Sequence, residues 1–127
     1  MDPRIRHPGL ARKLATPAEA ATQIRPGDTV AMSGFTGAGY PKAVPQALAE
    51  RMEQAHAAGE HFRVKVLTGA STAPELDGAL AKVDGMELRM PYQSDPEVRA
   101  RINAGQLESI DIHLSHVAQH AWFGFFG

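Results

Sequence analysis

Three short stretches hold the groups best suited to chemistry: Gly34-Phe35-Thr36-Gly37-Ala38-Gly39-Tyr40-Pro41, Gly69-Ala70-Ser71-Thr72-Ala73-Pro74 and Pro91-Tyr92-Gln93-Ser94-Asp95. Gly34, Gly37 and Gly39 let the backbone turn through positive φ and let a ligand approach the amide N–H groups. A helix starting just beyond them adds a partial positive charge favourable to phosphate or carboxylate. The order is neither the G-x-G-x-x-G of dinucleotide folds nor the G-x-x-x-x-G-K-[ST] of phosphate loops. The stretch therefore reads either as an anion-binding loop or as a tight turn that lets strand and helix pack. The Ser71, Thr72 and Ser94 hydroxyls can bind a carboxylate or cap the helices that follow. Neither hydroxyl loop contains a histidine, so an activated serine nucleophile has no base there. Lys42 can reach an anion at the same helix start or stay solvated.

His113, His116 and His120 recur at spacings of three and four, which on a helix places them on one face. With Asp111 or Asp95 they could hold zinc or iron. No acidic metal-binding motif accompanies them, and the expectation is that they bind no metal. The sequence contains no cysteine, which excludes disulfides, thiolate zinc sites and cysteine nucleophiles.

The elements that position the three stretches follow from local signals. Thr16-Pro17-Ala18-Glu19 is a capping box with proline at the first helical position. That helix should end near Ile24, before the turn Arg25-Pro26-Gly27-Asp28. Thr29-Val30-Ala31-Met32-Ser33 reads as a buried strand. A long helix over 43–58 follows the first loop, with Val44, Leu48, Met52 and Ala55 as its buried stripe, Pro45 tolerated in its first turn and Gly59 at its end. Residues 62–67 and 86–90 read as strands, residues 74–82 as a helix. A further helix runs from Pro96 to near Gly105, capped by Ser94 or Asp95. Residues 109–112 read as a short strand, 114–120 as a helix, and 122–127 as the beginning of another strand. Alternating strands and helices predict an α/β fold with a mainly parallel sheet. In such sheets ligands bind beyond the carboxyl ends of the strands, so all three loops belong on one edge.

Of the 127 residues, 43% are apolar and 21% charged, enough for a core. Thirteen basic residues against fourteen acidic ones leave a net charge of −1, which gives no general attraction to nucleic acid. No apolar run approaches the roughly 20 residues that cross a bilayer, and the start lacks the apolar core of a secretion signal. A cytoplasmic protein with no membrane or nucleic-acid partner is expected. Trp122, Phe123, Phe125 and Phe126 crowd the last six residues and would invite aggregation if exposed together. Either they dock on the sheet or the natural chain continues; continuation is the expectation.

Taken together, four motifs resemble one family. Ser33-Gly34-Phe35-Thr36-Gly37-Ala38-Gly39-Tyr40-Pro41-Lys42 resembles the signature loop of the acetyl-CoA hydrolase and succinyl-CoA:acetate CoA-transferase family. Leu67-Thr68-Gly69-Ala70-Ser71-Thr72 resembles its second loop. Arg101-Ile102-Asn103-Ala104-Gly105 and Asp111-Ile112-His113-Leu114-Ser115 fit its pattern as well. The resemblance runs from about Arg4 to Gly127, and the four motifs in order are specific where each alone is modest.

The resemblance implies an N-terminal domain, residues 1–127, of an enzyme several times longer, truncated at its C-terminal end and expected to be inactive alone. Members of the family have two related α/β domains with the active site between them. Their glutamate attacks an acyl-CoA, giving an acyl–glutamyl anhydride and then a glutamyl–CoA thioester. Acetate, or water in the hydrolases, completes the cycle, and backbone N–H groups stabilise the oxyanion. That glutamate belongs to the later domain, so no catalytic residue is expected here. Coenzyme A enters as a substrate, not a cofactor, and short carboxylates are the other partners. The rest of the same enzyme is a partner too, and the full-length protein is expected to be a homodimer. The implied substrate wall comprises Ser71, Thr72, Ser94, Gly34, Thr36, Gly37 and Gly39. Ser94 stands where close relatives carry threonine, which keeps the hydroxyl and loses a methyl. A stand-alone anion- or nucleotide-binding module without catalysis is the alternative.

Overall fold

The structure is a computed structural model that describes residues 3–125. After a single-turn helix α1 (Pro8–Ala11), helix α2 (Pro17–Ala21) begins with the capping box read from the sequence. The Glu19 N–H donates to the Thr16 hydroxyl at 3.2 Å, and the Thr16 N–H donates to the Glu19 carboxylate at 2.7 Å. Thr16→Ala is expected to cost about 1 kcal/mol, visible as a lowered midpoint in thermal unfolding. The helix ends a turn earlier than Ile24, with Thr22 at its C-cap.

Strand β1 (Thr29–Ala31) leads through the first loop into helix α3 (Ala43–Ala57), which buries Pro45, Leu48, Ala49 and Met52. Gly59, at φ +79°, turns the chain out of that helix. Strand β2 (Val64–Leu67) is followed by a wide π turn, Pro74–Gly78, that runs into helix α4 (Ala79–Lys82). Strand β3 (Met86–Met90) leads to helix α5 (Pro96–Asn103). Asp95, not Ser94, caps it: its carboxylate accepts from the N–H groups of Glu97 at 2.9 Å and Val98 at 3.2 Å. Strand β4 (Glu108–Ser109), a 3-10 turn (Leu114–His116) and helix α6 (Val117–Trp122) complete the described chain.

The four strands form one sheet in the order β1-β2-β3-β4, all parallel. The α/β class with a parallel sheet is therefore the observed one. The core lies on a single face, where Val64, Val66 and Met86 meet Leu48 and Met52 of α3, Leu76 of the π turn, Leu80 of α4 and Val98 of α5. On the opposite face α6 borders an apolar groove of about 660 Å³ with Ala31, Leu67 and Met90.

The register between β2 and β3 steps from Val64–Met86 to Lys65–Leu88, passing over Glu87. A one-residue slip of this kind moves every later side chain to the other face. Arg89 consequently pairs with Val66 and is fully buried on the helix side.

The end of the chain departs from expectation. Trp122 closes α6 and Phe123 is its C-cap, so no strand begins there. The Phe123 N–H donates to the Gln119 carbonyl, and Gly124 turns through φ +76°. Trp122 and Phe123 are 85% and 76% exposed, and Phe126 and Gly127 lie outside the described residues. Among the described residues no helix is long and apolar enough to cross a membrane.

Candidate functional site

The hydrogen bonding between neighbouring strands continues past their ends into the loops. The Met32 N–H donates to the Leu67 carbonyl at 2.8 Å and the Thr68 N–H to that of Met90 at 3.0 Å. Farther out, the Thr36 N–H donates to the Ala70 carbonyl at 2.9 Å and the Ser71 N–H to that of Tyr92 at 3.0 Å. Residues 34–41, 69–74 and 91–95 thus stand side by side at the carboxyl edge. Gly69 is what permits the closest approach, since a Cβ there would lie 2.2 Å from the Gly34 carbonyl oxygen.

Thr36, Gly37, Ser71, Thr72, Tyr92 and Ser94 line a cleft of about 540 Å³ at this edge. The Ser71 and Ser94 hydroxyls are 2.9 Å apart, and the Ser94 N–H donates to the Ser71 hydroxyl at 3.2 Å. Neither serine caps a helix. Ala73 occupies the position before the π turn and makes no side-chain cap. Gly34 and Gly39 do not line the cleft; they shape the loop behind it. Gly34, at φ +146°, has the Thr72 methyl and Tyr40 Cβ where its own Cβ would be, and the Gly39 carbonyl accepts from the Ser33 hydroxyl at 2.6 Å.

Two residues on the cleft wall hold left-handed backbone without being glycine: Thr36 at φ +48° and Ser71 at φ +67°. Each such residue costs on the order of 1–2 kcal/mol. The cross-loop bonds to Ala70 and Tyr92 hold both in place.

Behind the cleft lies a buried ion pair that sequence reasoning missed. Arg89 and Asp77 both have side chains at 0% exposure. The guanidinium donates to Asp77 Oδ1 at 2.7 Å and Oδ2 at 3.2 Å, to the Thr68 hydroxyl at 2.6 Å and to the Met90 carbonyl at 2.6 Å. Asp77 also accepts from the Thr72 N–H at 3.1 Å and from the Thr72 hydroxyl.

At the outer rim, Tyr40 donates to the Glu75 carboxylate at 2.8 Å, and Lys42 pairs with the same carboxylate at 3.6 Å. Lys42 therefore has a partner within the chain. The Tyr40 hydrogen bond holds the Glu75 carboxyl below its ordinary value, and the same bond pushes the tyrosine up. A lowered carboxyl contributes stability that is present above its unfolded value and lost as pH falls through the folded one. The tyrosine's contribution is present below its unfolded value and lost as pH rises through the raised one. Tyr40→Phe is expected to move the Glu75 titration upward, read from its carboxyl carbon by NMR; an unchanged midpoint would contradict the bond.

The three histidines form a row with ring centroids 6.2 Å apart at each step. His113 accepts from the Ser115 N–H as a turn cap. Among the described residues no three His, Asp or Glu side chains gather as metal ligands would.

The cleft wall offers hydroxyls, backbone and the carboxylate of Asp95, and none of its lining residues is His, Lys or Arg. Such a surface can orient an oxygen-rich group, and its one carboxylate is taken up by the backbone N–H groups of Glu97 and Val98.

Comparison with known proteins gives concordant matches. A propanoyl-CoA:succinate CoA transferase from Escherichia coli (strain K12) is 45% identical over 109 residues, 86% of this chain and 22% of the relative. A succinyl-CoA:acetate CoA-transferase from Clostridium kluyveri is 44% identical over 117 residues, 92% of this chain and 21% of the relative. An acetyl-CoA hydrolase from Schizosaccharomyces pombe is 36% identical over 124 residues, 97% of this chain and 24% of the relative. The chain thus spans less than a quarter of the length of the curated relatives it matches. The family model described as the acetyl-CoA hydrolase/transferase N-terminal domain matches residues 1–127, and the chain belongs to that family.

Proposed function

We propose that this domain supplies the carboxylate-facing wall of an enzyme that moves coenzyme A between short-chain carboxylic acids, or hydrolyses acetyl-CoA. The observation that carries the reading is the convergence of Thr36, Ser71 and Ser94 on one cleft at the carboxyl edge of a parallel sheet. Hydroxyls and a glycine loop suit a small anionic acid, and the relatives named above act on acyl-CoA thioesters and such acids.

In this reading the covalent work falls to a glutamate outside this chain. Its carboxylate attacks the thioester carbonyl and expels CoA thiolate, leaving an acyl–glutamyl anhydride. The thiolate then attacks the glutamyl carbonyl and releases the acyl group as a carboxylate. Acetate or water reverses or ends the cycle. Coenzyme A is a substrate, and no other cofactor is needed. A cytoplasmic homodimer is part of the same reading.

The experiment uses the full-length protein. Loss of thioester from acetyl-CoA and exchange between succinyl-CoA and acetate are measured for the parent and for Ser71→Ala. The variant is expected to raise KM for the carboxylate roughly tenfold, about one hydrogen bond to a charged group, with KM for the acyl-CoA much less affected. Equal KM values in parent and variant would remove the serine wall from the proposal.

A further inference from the structure

Among the described residues Asp77 and Arg89 are the charged side chains with no exposure, and neither lines the cleft. As a stabilising device it is a poor choice, because well-packed apolar residues of similar volume often do as well or better. Its hydrogen bonds have a consistent set of destinations. They reach Thr68 and Thr72, the two ends of the segment that contains Ser71, and Met90, the root of the loop that carries Ser94. Between Thr68 and Thr72 the chain must hold Ser71 in left-handed backbone, a conformation it would otherwise leave.

We infer that Asp77 and Arg89 are positioning residues: they clamp both ends of the second loop and the start of the third, and so set the Ser71–Ser94 hydroxyl pair in the geometry that receives the carboxylate. The inference rests on the proposed role of that pair. Asp77 and Arg89 touch no substrate and act only through the loops they hold.

The test needs a variant that loosens the clamp without leaving a buried charge unpaired. In the full-length protein, Thr68→Val keeps the volume and the Asp77–Arg89 contact while removing the hydroxyl that accepts from Arg89. Thr68→Ser is the conservative control, and Asp77→Asn is a second, harsher variant. Carboxylate KM, acyl-CoA KM, kcat and unfolding midpoint are measured for each, with hydrogen exchange at the Ser71 amide. Thr68→Val is expected to raise carboxylate KM roughly fivefold to tenfold, leave acyl-CoA KM within about twofold, and speed exchange at Ser71. Thr68→Ser should restore all three. A lowered midpoint with carboxylate KM and Ser71 exchange both unmoved would make the pair merely structural and overturn the inference, whether or not Asp77→Asn folds. If Ser71→Ala leaves KM unchanged, the serine-wall reading fails by itself; faster Ser71 exchange in Thr68→Val would still show the clamp, and unchanged exchange would sink it as well.

Discussion

Arg89→Met should cost the domain about 3–5 kcal/mol, the usual penalty for removing one partner of a buried pair. The methionine fills much of the space but strands the Asp77 carboxylate away from bulk solvent, with its side chain at 0% exposure. The Thr68 hydroxyl and the Met90 carbonyl lose a donor at the same time. The unfolding midpoint in urea, followed by circular dichroism, reads the loss. A companion double variant, Asp77→Leu with Arg89→Met, separates the causes. If the penalty is the orphaned charge, the double variant should be less destabilised than the two single changes added together. A sum that is simply additive would mean that the two side chains contribute independently, contrary to the bonding described.

Gly69→Ala should be nearly as damaging, for a steric reason. The new methyl would fall 2.2 Å from the Gly34 carbonyl oxygen, which is backbone and cannot swing aside as a long side chain can. Overpacking of this kind costs about 3 kcal/mol at its upper range. The strain should be relieved by driving the first and second loops apart, breaking the Thr36–Ala70 bond. Lower thermal stability together with a raised carboxylate KM in the full-length protein is the expected pair of results. Gly37→Ala provides the contrast. Gly37 has nothing within 4 Å of its would-be Cβ and only its φ of +79° to resist the change, so the cost should be about 1–2 kcal/mol. If Gly69→Ala proves no worse than Gly37→Ala, the close approach of the two loops is not a constraint.

The placement of the three loops was legible in the sequence because it follows from topology. Three strand–loop–helix units in succession bring their loops to one edge of a parallel sheet whatever the side chains between them, and Thr36, Ser71 and Ser94 do meet there. The capping box at Thr16 and the limits of β3 were legible because they depend on neighbours within a few residues. Arg89 was not. In Met86-Glu87-Leu88-Arg89-Met90 the simple alternation puts the charged residues on one face and the apolar ones on the other, with Arg89 towards solvent. The slip at Glu87 reverses that assignment for the second half of the strand. No local signal announces it, and Asp77, twelve residues earlier, reads as an ordinary surface acid until the fold brings it alongside. That Gly34 and Gly39 lie behind the cleft was hidden for a related reason. Composition marks a loop as glycine-rich, but which glycine faces a ligand and which one a neighbouring loop is decided by tertiary contact. The aromatic end was read as strand because Trp and Phe favour strands, whereas α6 runs on through Trp122.

The ladder that carries on from the strands into the loops has a further consequence. A pocket whose floor is an extension of the sheet shares the stiffness of the sheet, and it yields little to a ligand of the wrong size. Under the proposed function, selection among acids would resemble a fixed gauge more than a closing hand, with the side chain at Ser94 counting for more than any mobility of the surrounding chain. On the same proposal, changing which acid is accepted should come from exchanging one side chain at the rim while the backbone beneath stays as it is.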